Sequence, residues 1–246
     1  MAGPLATVTL NRPEHRNAQT PATWRALAEV GARVLGTGSR VVVLRAEGRS
    51  FSAGLDRAMF GPGVPGEPGL TRLAGLSAAE LDRTIEGFQE AFTWWRDERV
   101  VSIAAVQGHA VGAGFQLALA CDLRLLAQDA RLAMRETSLG LVPDLAGTHP
   151  LVSLVGYPRA LEICATGRWV GAEEAERIGL ASLVVPSDDL ASATADLVAA
   201  LLAAPADAVR ATKALLREAG GRTFDEQRAA ERVSQASRLR DLARGS

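Results

Sequence analysis

Apolar and polar positions alternate over Leu5–Leu10, the two-residue period of a strand with one buried face. Asn11-Arg12-Pro13 ends that pattern, and Pro21 opens a helix to about Leu35 with Trp24, Leu27, Ala28, Val30 and Val34 on its apolar side. Val41–Leu44 is continuously apolar and mostly β-branched, which predicts a strand buried on both faces. A loop over Phe51–Asp56 follows. Gly61–Gly69 is so dense in Gly and Pro that it excludes helix and central strand, and a mobile segment is expected. Ser77-Ala-Ala-Glu80 reads as a capping box starting a helix to about Arg96. Val100–Val106 predicts a second buried strand, Gly108–Gly114 a glycine-rich loop, and Phe115–Cys121 a buried helix. Short strands are expected at Leu123–Leu126 and Arg131–Ala133. From Leu151 onward the pattern is almost wholly helical, closing with a second capping box, Thr223–Glu226, and a helix of about twenty residues. The prediction is an α/β core over residues 1–186 and a helical region over 187–246.

Charge narrows the function. The chain has 27 basic and 28 acidic residues among 246, and divided after Leu123 the halves hold 12 against 12 and 15 against 16. Neither half is polarised, which argues against a nucleic-acid partner held on a broad basic face. No apolar run approaches the ~18 residues a membrane helix needs, and Met1–Leu10 lacks the form of a signal peptide. Cys121 and Cys164 are far apart, so reduced thiols and a cytoplasmic location are expected. Three histidines without HxH or HExxH spacing give no zinc site, and no metal is expected.

Two glycine-bearing turns follow strands and lead toward helices: Ser52-Ala-Gly-Leu-Asp56 and Val111-Gly-Ala-Gly-Phe115. Backbone N–H groups at such turns have no helical partner, and two that converge hold an oxyanion. Taken singly, these glycines equally suit tight turns and close packing. Neither the full GxGxxG fingerprint nor GxxxxGK[ST] occurs. Glu136 and Asp144 lie eight residues apart in an apolar, Gly/Pro-bent stretch, where carboxyl pKa values rise and protons move. Solvated loop acids, or a Glu136–Arg135 pair, are the competing reading.

The motifs in combination resemble the crotonase family, also called the enoyl-CoA hydratase/isomerase family. They are Asn11-Arg-Pro-Glu-His-Arg-Asn-Ala18, Phe51–Asp56, Ile103-Ala-Ala-Val-Gln-Gly-His-Ala-Val-Gly-Ala-Gly-Phe-Gln-Leu-Ala-Leu-Ala-Cys-Asp122, Glu136, Leu139-Gly-Leu-Val-Pro143, and Thr166-Gly-Arg through Gly179-Leu-Ala181. The resemblance is specific for the superfamily and weakly specific for the reaction. It implies a spiral of ββα turns, a C-terminal helical trimerisation region (a trimer or a dimer of trimers), and an acyl-CoA thioester as substrate with no further cofactor. It places the oxyanion amides on Leu55 and Ala113.

Family hydratases use two glutamates. One matches Glu136; the other position holds Gln116, whose amide cannot exchange a proton near neutral pH. Double-bond isomerisation needs one carboxylate, and the resemblance therefore implies Glu136 as proton shuttle. Asp144 stands where family dienoyl isomerases carry an auxiliary aspartate, and a helix N-cap or Arg partner is its competing reading. A hydratase with a rearranged acid/base pair and a non-catalytic acyl-CoA binder remain open. His15, Arg16, Ala53, Asp56 and Lys213 fall at CoA-binding positions. Met59, Phe60, Leu73, Phe88, Phe92, Trp94 and Trp95 are candidate acyl-wall residues, with Gly61–Gly69 as a lid ordering on ligand binding. Family members carry a strand ahead of Gly3, so an exposed edge at Leu5–Leu10 is expected unless the start is short or another segment covers it.

Overall fold

The computed structural model describes residues 3–244. In chain order the elements are β1 (Leu5–Leu10), α1 (Pro21–Gly36), β2 (Val41–Ala46), β3 (Gly63–Val64), β4 (Glu67–Pro68), α2 (Leu70–Leu73), α3 (Ala78–Thr93), β5 (Val101–Val106), β6 (His109–Val111), α4 (Ala113–Ala120), β7 (Leu123–Ala127), β8 (Arg131–Ala133), α5 (Thr148–Val155), α6 (Tyr157–Thr166), β9 (Val170–Gly171), α7 (Ala172–Arg177), β10 (Leu183–Val185), α8 (Leu190–Ala203), α9 (Ala206–Glu218) and α10 (Phe224–Arg244). Both capping boxes form, with Glu80 bonded back to Ser77 and Glu226 to Thr223.

The main sheet is ordered β1-β2-β5-β7-β10, and every pair in it is parallel. Its two faces follow the two-residue period of the strands. Val42, Leu44, Ala104, Val106 and Leu126 join the large core under α1, α3 and α4. Their neighbours Val41, Val43, Ile103, Ala105, Leu125 and Ala127 point the other way, into a second core closed by Leu190 and Val198 of α8. Double burial is why 41–44 carries no polar side chain. A smaller sheet, β6-β8-β9, runs beside the first. Two successive circuits, β5–β6–α4 and β7–β8–α5, each lay one strand in the large sheet and one in the small before a helix.

Two expectations change. The glycine-rich 108–114 stretch contains β6, and α4 begins at Ala113 rather than Phe115. The segment after Leu151 is not wholly helical, since β9 and β10 lie within it and β10 forms a sheet edge. The 61–69 stretch is neither helix nor central strand, as expected, and forms a small hairpin, β3–β4, apart from both larger sheets. β1 is the other edge of the main sheet, as expected. Among the described residues no single helix is long and apolar enough to cross a membrane.

Candidate active site

The two glycine turns meet. Ser52 bridges Ala110 of β6, and Leu55 bridges Gln19. The Gln19 N–H donates to the Gly54 carbonyl at 2.7 Å, and the Asp56 N–H donates to the Gln19 carbonyl at 2.8 Å. In such a parallel bridge the middle residue's own N–H faces away from the partner strand. The Leu55 N–H accordingly faces away from Gln19 and, among the described residues, meets no acceptor. Ala113 is the first residue of α4, so its N–H has no helical partner, and it too meets no acceptor. Gly54 has φ +83°, and a Cβ there would stand 2.3 Å from the Val111 carbonyl oxygen and 3.5 Å from the Ala113 nitrogen. That close approach needs glycine on both counts. Leu55 and Ala113 line one cavity.

Glu136 lies buried on the same cavity, at the start of a 3-10 turn. Its Oε1 accepts from Gln116 Nε2 at 2.6 Å. Its Oε2 is buried and has no hydrogen-bond partner among the described residues. Gln116 Oε1 accepts the Leu145 backbone N–H at 2.9 Å. An amide N–H only donates, so the Gln116 side chain has one orientation, with its NH₂ toward Glu136. Burial, and then the charge of Asp144, raise the Glu136 carboxyl above the ordinary glutamate range, while the Gln116 donor partly opposes this. Gly112, with φ +52°, leaves room: a Cβ there would stand 3.2 Å from Glu136 Oε1.

Gln116 itself does not line the cavity. Gln116, the residue at the second glutamate position, instead bonds Glu136 Oε1 and so orients that carboxyl. Asp144 does line the cavity. It is exposed to solvent, yet enough protein surrounds its carboxyl that burial raises it too. It is not a helix cap, because α5 is capped at Gly147, and among the described residues it has no Arg partner.

The cavity encloses about 400 Å³ and is mostly apolar. Phe60, Leu73 and Phe88 line it as expected; Met59, Phe92, Trp94 and Trp95 do not and belong to the interior packing. Trp24, read from the sequence as part of the apolar side of α1, and Leu81 also line it. The 61–69 hairpin beside them is tied down. Glu67 accepts from the Thr20 hydroxyl at 2.9 Å and the Ala22 N–H at 2.6 Å, with Arg25 at 3.6 Å. A carboxylate at the N-terminus of α1 is favoured by the helix dipole.

Of the CoA-binding candidates, only Ala53 lines the cavity. Its N–H donates to the Arg16 carbonyl at 2.8 Å, so the Arg12–Ala18 turn backs the 52–56 loop. His15 and Arg16 are exposed. The Asp56 side chain is engaged within the protein, accepting the Ala58 N–H at 3.0 Å and pairing with Arg12 at 2.7 Å. The Ala58 amide, with Arg12 beside it, holds that carboxyl below its usual range despite partial burial. Lys213 is a correction. Its buried ammonium lies 2.6 Å from the Val100 carbonyl and 2.6 Å from Asp122, joining α9 to the sheet, and it is absent from the cavity.

Comparison with known proteins gives a consistent answer. The family model for enoyl-CoA hydratase/isomerase matches residues 2–242. A Mycobacterium bovis protein named probable enoyl-CoA hydratase EchA12 is 37% identical over 214 residues, covering 86% of this chain and 73% of its own length. A Thermobifida fusca YX crystal structure, provisionally named an enoyl-CoA hydratase, superposes with a TM-score of 0.94 at 50% identity, covering 100% of this chain and 93% of that one. A structure under the same name in complex with acetoacetyl-CoA gives a TM-score of 0.93 at 49% identity, covering 98% and 93%. With the paired amides, the buried glutamate and the apolar cavity already in place, these matches establish that the chain has the crotonase fold and belongs to the enoyl-CoA hydratase/isomerase family.

Proposed function

We propose that the protein shifts the double bond of an enoyl-CoA through a thioester enolate. The observation carrying this reading is that an amide, Gln116, and not a second glutamate, holds Glu136 Oε1, while Oε2 has no hydrogen-bond partner among the described residues. Leu55 and Ala113 donate to the thioester oxygen. Glu136 Oε2 takes a proton from the α-carbon of a 3-enoyl-CoA, and the C–H electron pair moves into the conjugated system, leaving the negative charge on that oxygen. The same oxygen of Glu136 returns the proton at the γ-carbon, the oxyanion collapses to the carbonyl, and a 2-enoyl-CoA results with no net gain or loss of atoms. Because charge gathers on oxygen only as the proton leaves, the amides favour the transition state over the bound substrate.

Asp144 raises the basicity of Glu136 and stands as a second proton carrier at the far carbon of a dienoyl substrate. Arg16, beside the oxyanion loop, is proposed to meet the CoA phosphates. Exposed Phe224 and Val233 on α10 support the trimer that the resemblance implies.

Hydration is a second reading, favoured by the names of the relatives and by the two carboxyls sharing one cavity, Glu136 and Asp144. Purified protein offered 3-enoyl-, 2-enoyl- and 3,5-dienoyl-CoA in parallel separates them. Isomerisation abolished in Glu136→Gln supports the proposal. Hydration outpacing isomerisation would overturn it, and tight acyl-CoA binding with no turnover would leave a binding protein.

A further inference from the structure

Behind the oxyanion loop lies a chain of buried polar side chains that no step above uses. Trp24 Nε1 donates to Gln19 Oε1 at 2.8 Å. Gln19 Nε2 donates to Ser52 Oγ at 3.0 Å. The Gly54 N–H donates to the same Ser52 Oγ at 3.2 Å, and the Ser52 hydroxyl donates to the Asn17 carbonyl at 2.8 Å. Gln19 and Ser52 are wholly buried.

The direction of every bond is fixed by the ends. An indole N–H only donates, so Gln19 presents its oxygen to Trp24 and its NH₂ to Ser52. A carbonyl only accepts, so the Ser52 proton goes to Asn17. The hydroxyl then has both lone pairs engaged, by Gln19 and by Gly54, and its bonding capacity is complete. No alternative arrangement leaves all of these buried groups satisfied.

The consequence falls on Leu55. The Gly54–Leu55 peptide is planar and trans, so its carbonyl and N–H point in opposite directions. The backbone N–H of Gln19 holds that carbonyl at 2.7 Å, which aims the Leu55 N–H the other way, and Leu55 is a residue of the cavity wall. Gly54 is the soft joint of this arrangement, because glycine turns readily between backbone regions. Ser52 grips the Gly54 N–H on one side while Gln19 grips the Gly54 carbonyl on the other.

We propose that Ser52, oriented by Gln19, is a positioning residue that prevents rotation at Gly54 and keeps the Leu55 donor aimed before substrate arrives. This rests on the oxyanion reading of the site. The geometry also ties the loop to Trp24, a wall of the acyl cavity.

Ser52→Ala, Ser52→Cys and Gln19→Met test it. Each variant is assayed for thermal unfolding, for kcat and KM with 3-enoyl-CoA, and for the near-ultraviolet enolate absorbance of bound acetoacetyl-CoA. Ser52→Ala is expected to lose most of the enolate band and about 10-fold to 10²-fold in kcat, the scale of a small misplacement, with KM little changed. Ser52→Cys, which keeps a weak acceptor, is expected to recover part of both. Should Ser52→Ala fail to fold, Gln19→Met carries the same expectation at smaller amplitude. A folded Ser52→Ala or Gln19→Met with the wild-type enolate band and kcat overturns this proposal alone. A wild-type protein that binds acetoacetyl-CoA without any enolate band overturns it together with the enolate reading.

Discussion

Replacing Gln116 by glutamate asks what the missing second glutamate does. The side chains are nearly isosteric, and the Leu145 N–H keeps its oxygen acceptor, so the change is confined to the atom facing Glu136. An NH₂ donor 2.6 Å from Glu136 Oε1 becomes an oxygen. Two full charges at that separation repel by about 6 kcal/mol at an effective dielectric of about 20. They do not both ionise, and the pair holds one proton between them. The variant thus keeps the single negative charge of the native site and gains a second group able to exchange a proton. Hydration of 2-enoyl-CoA, followed by loss of the conjugated thioester absorbance, is expected to rise by about 10²–10⁴-fold, the usual contribution of a general acid or base. Its pH profile is expected to show two limbs belonging to the pair. A folded Gln116→Glu protein hydrating no faster than wild type would refute the argument that the amide is what suppresses hydration.

Other consequences are smaller in scope. Glu136→Gln is expected to lower isomerisation by about 10²–10⁴-fold. Burial raises the Glu136 carboxyl, so ionising it opposes folding: the stability present below the ordinary glutamate value is lost as pH rises through the raised one. The variant should therefore unfold at a higher temperature than wild type near neutral pH, with the difference fading in acid. Asp144→Asn removes a charge that raises Glu136, so the acid limb of the pH–rate profile should move to lower pH. Lys213→Met should cost about 2 kcal/mol in denaturant unfolding, because it strips a charged partner from Asp122 and a donor from Val100. Acyl-CoA affinity measured by calorimetry should not change, because neither residue of that pair lines the cavity.

What the sequence disclosed followed physical scale. Strands buried on both faces announce themselves by composition, as Val41–Leu44 does, and capping boxes by two residues three apart. Strands of two or three residues, such as Val170–Gly171 and Leu183–Val185, are too short to show a period, and the helices around them mask them. The oxyanion loops were legible only as members of a larger set of motifs, since a short glycine turn is ambiguous alone. Lys213 shows the limit of position-matching: its place in a helix was readable, whereas its partner Asp122 lies 91 residues away. Gln19 gave no signal at all, and Ser52 stood out only as a member of its glycine turn. Their importance comes from where three separate segments meet, and a single polar residue in a loop carries no mark of that.

A crystal structure of the protein with acetoacetyl-CoA shows whether the Leu55 and Ala113 amides hold a thioester oxygen while Glu136 Oε2 faces the α-carbon. The thioester oxygen is expected at about 3 Å from both amide nitrogens, with Glu136 Oε2 against the adjacent carbon. A thioester bound elsewhere in the cavity, or within reach of neither amide, would contradict it.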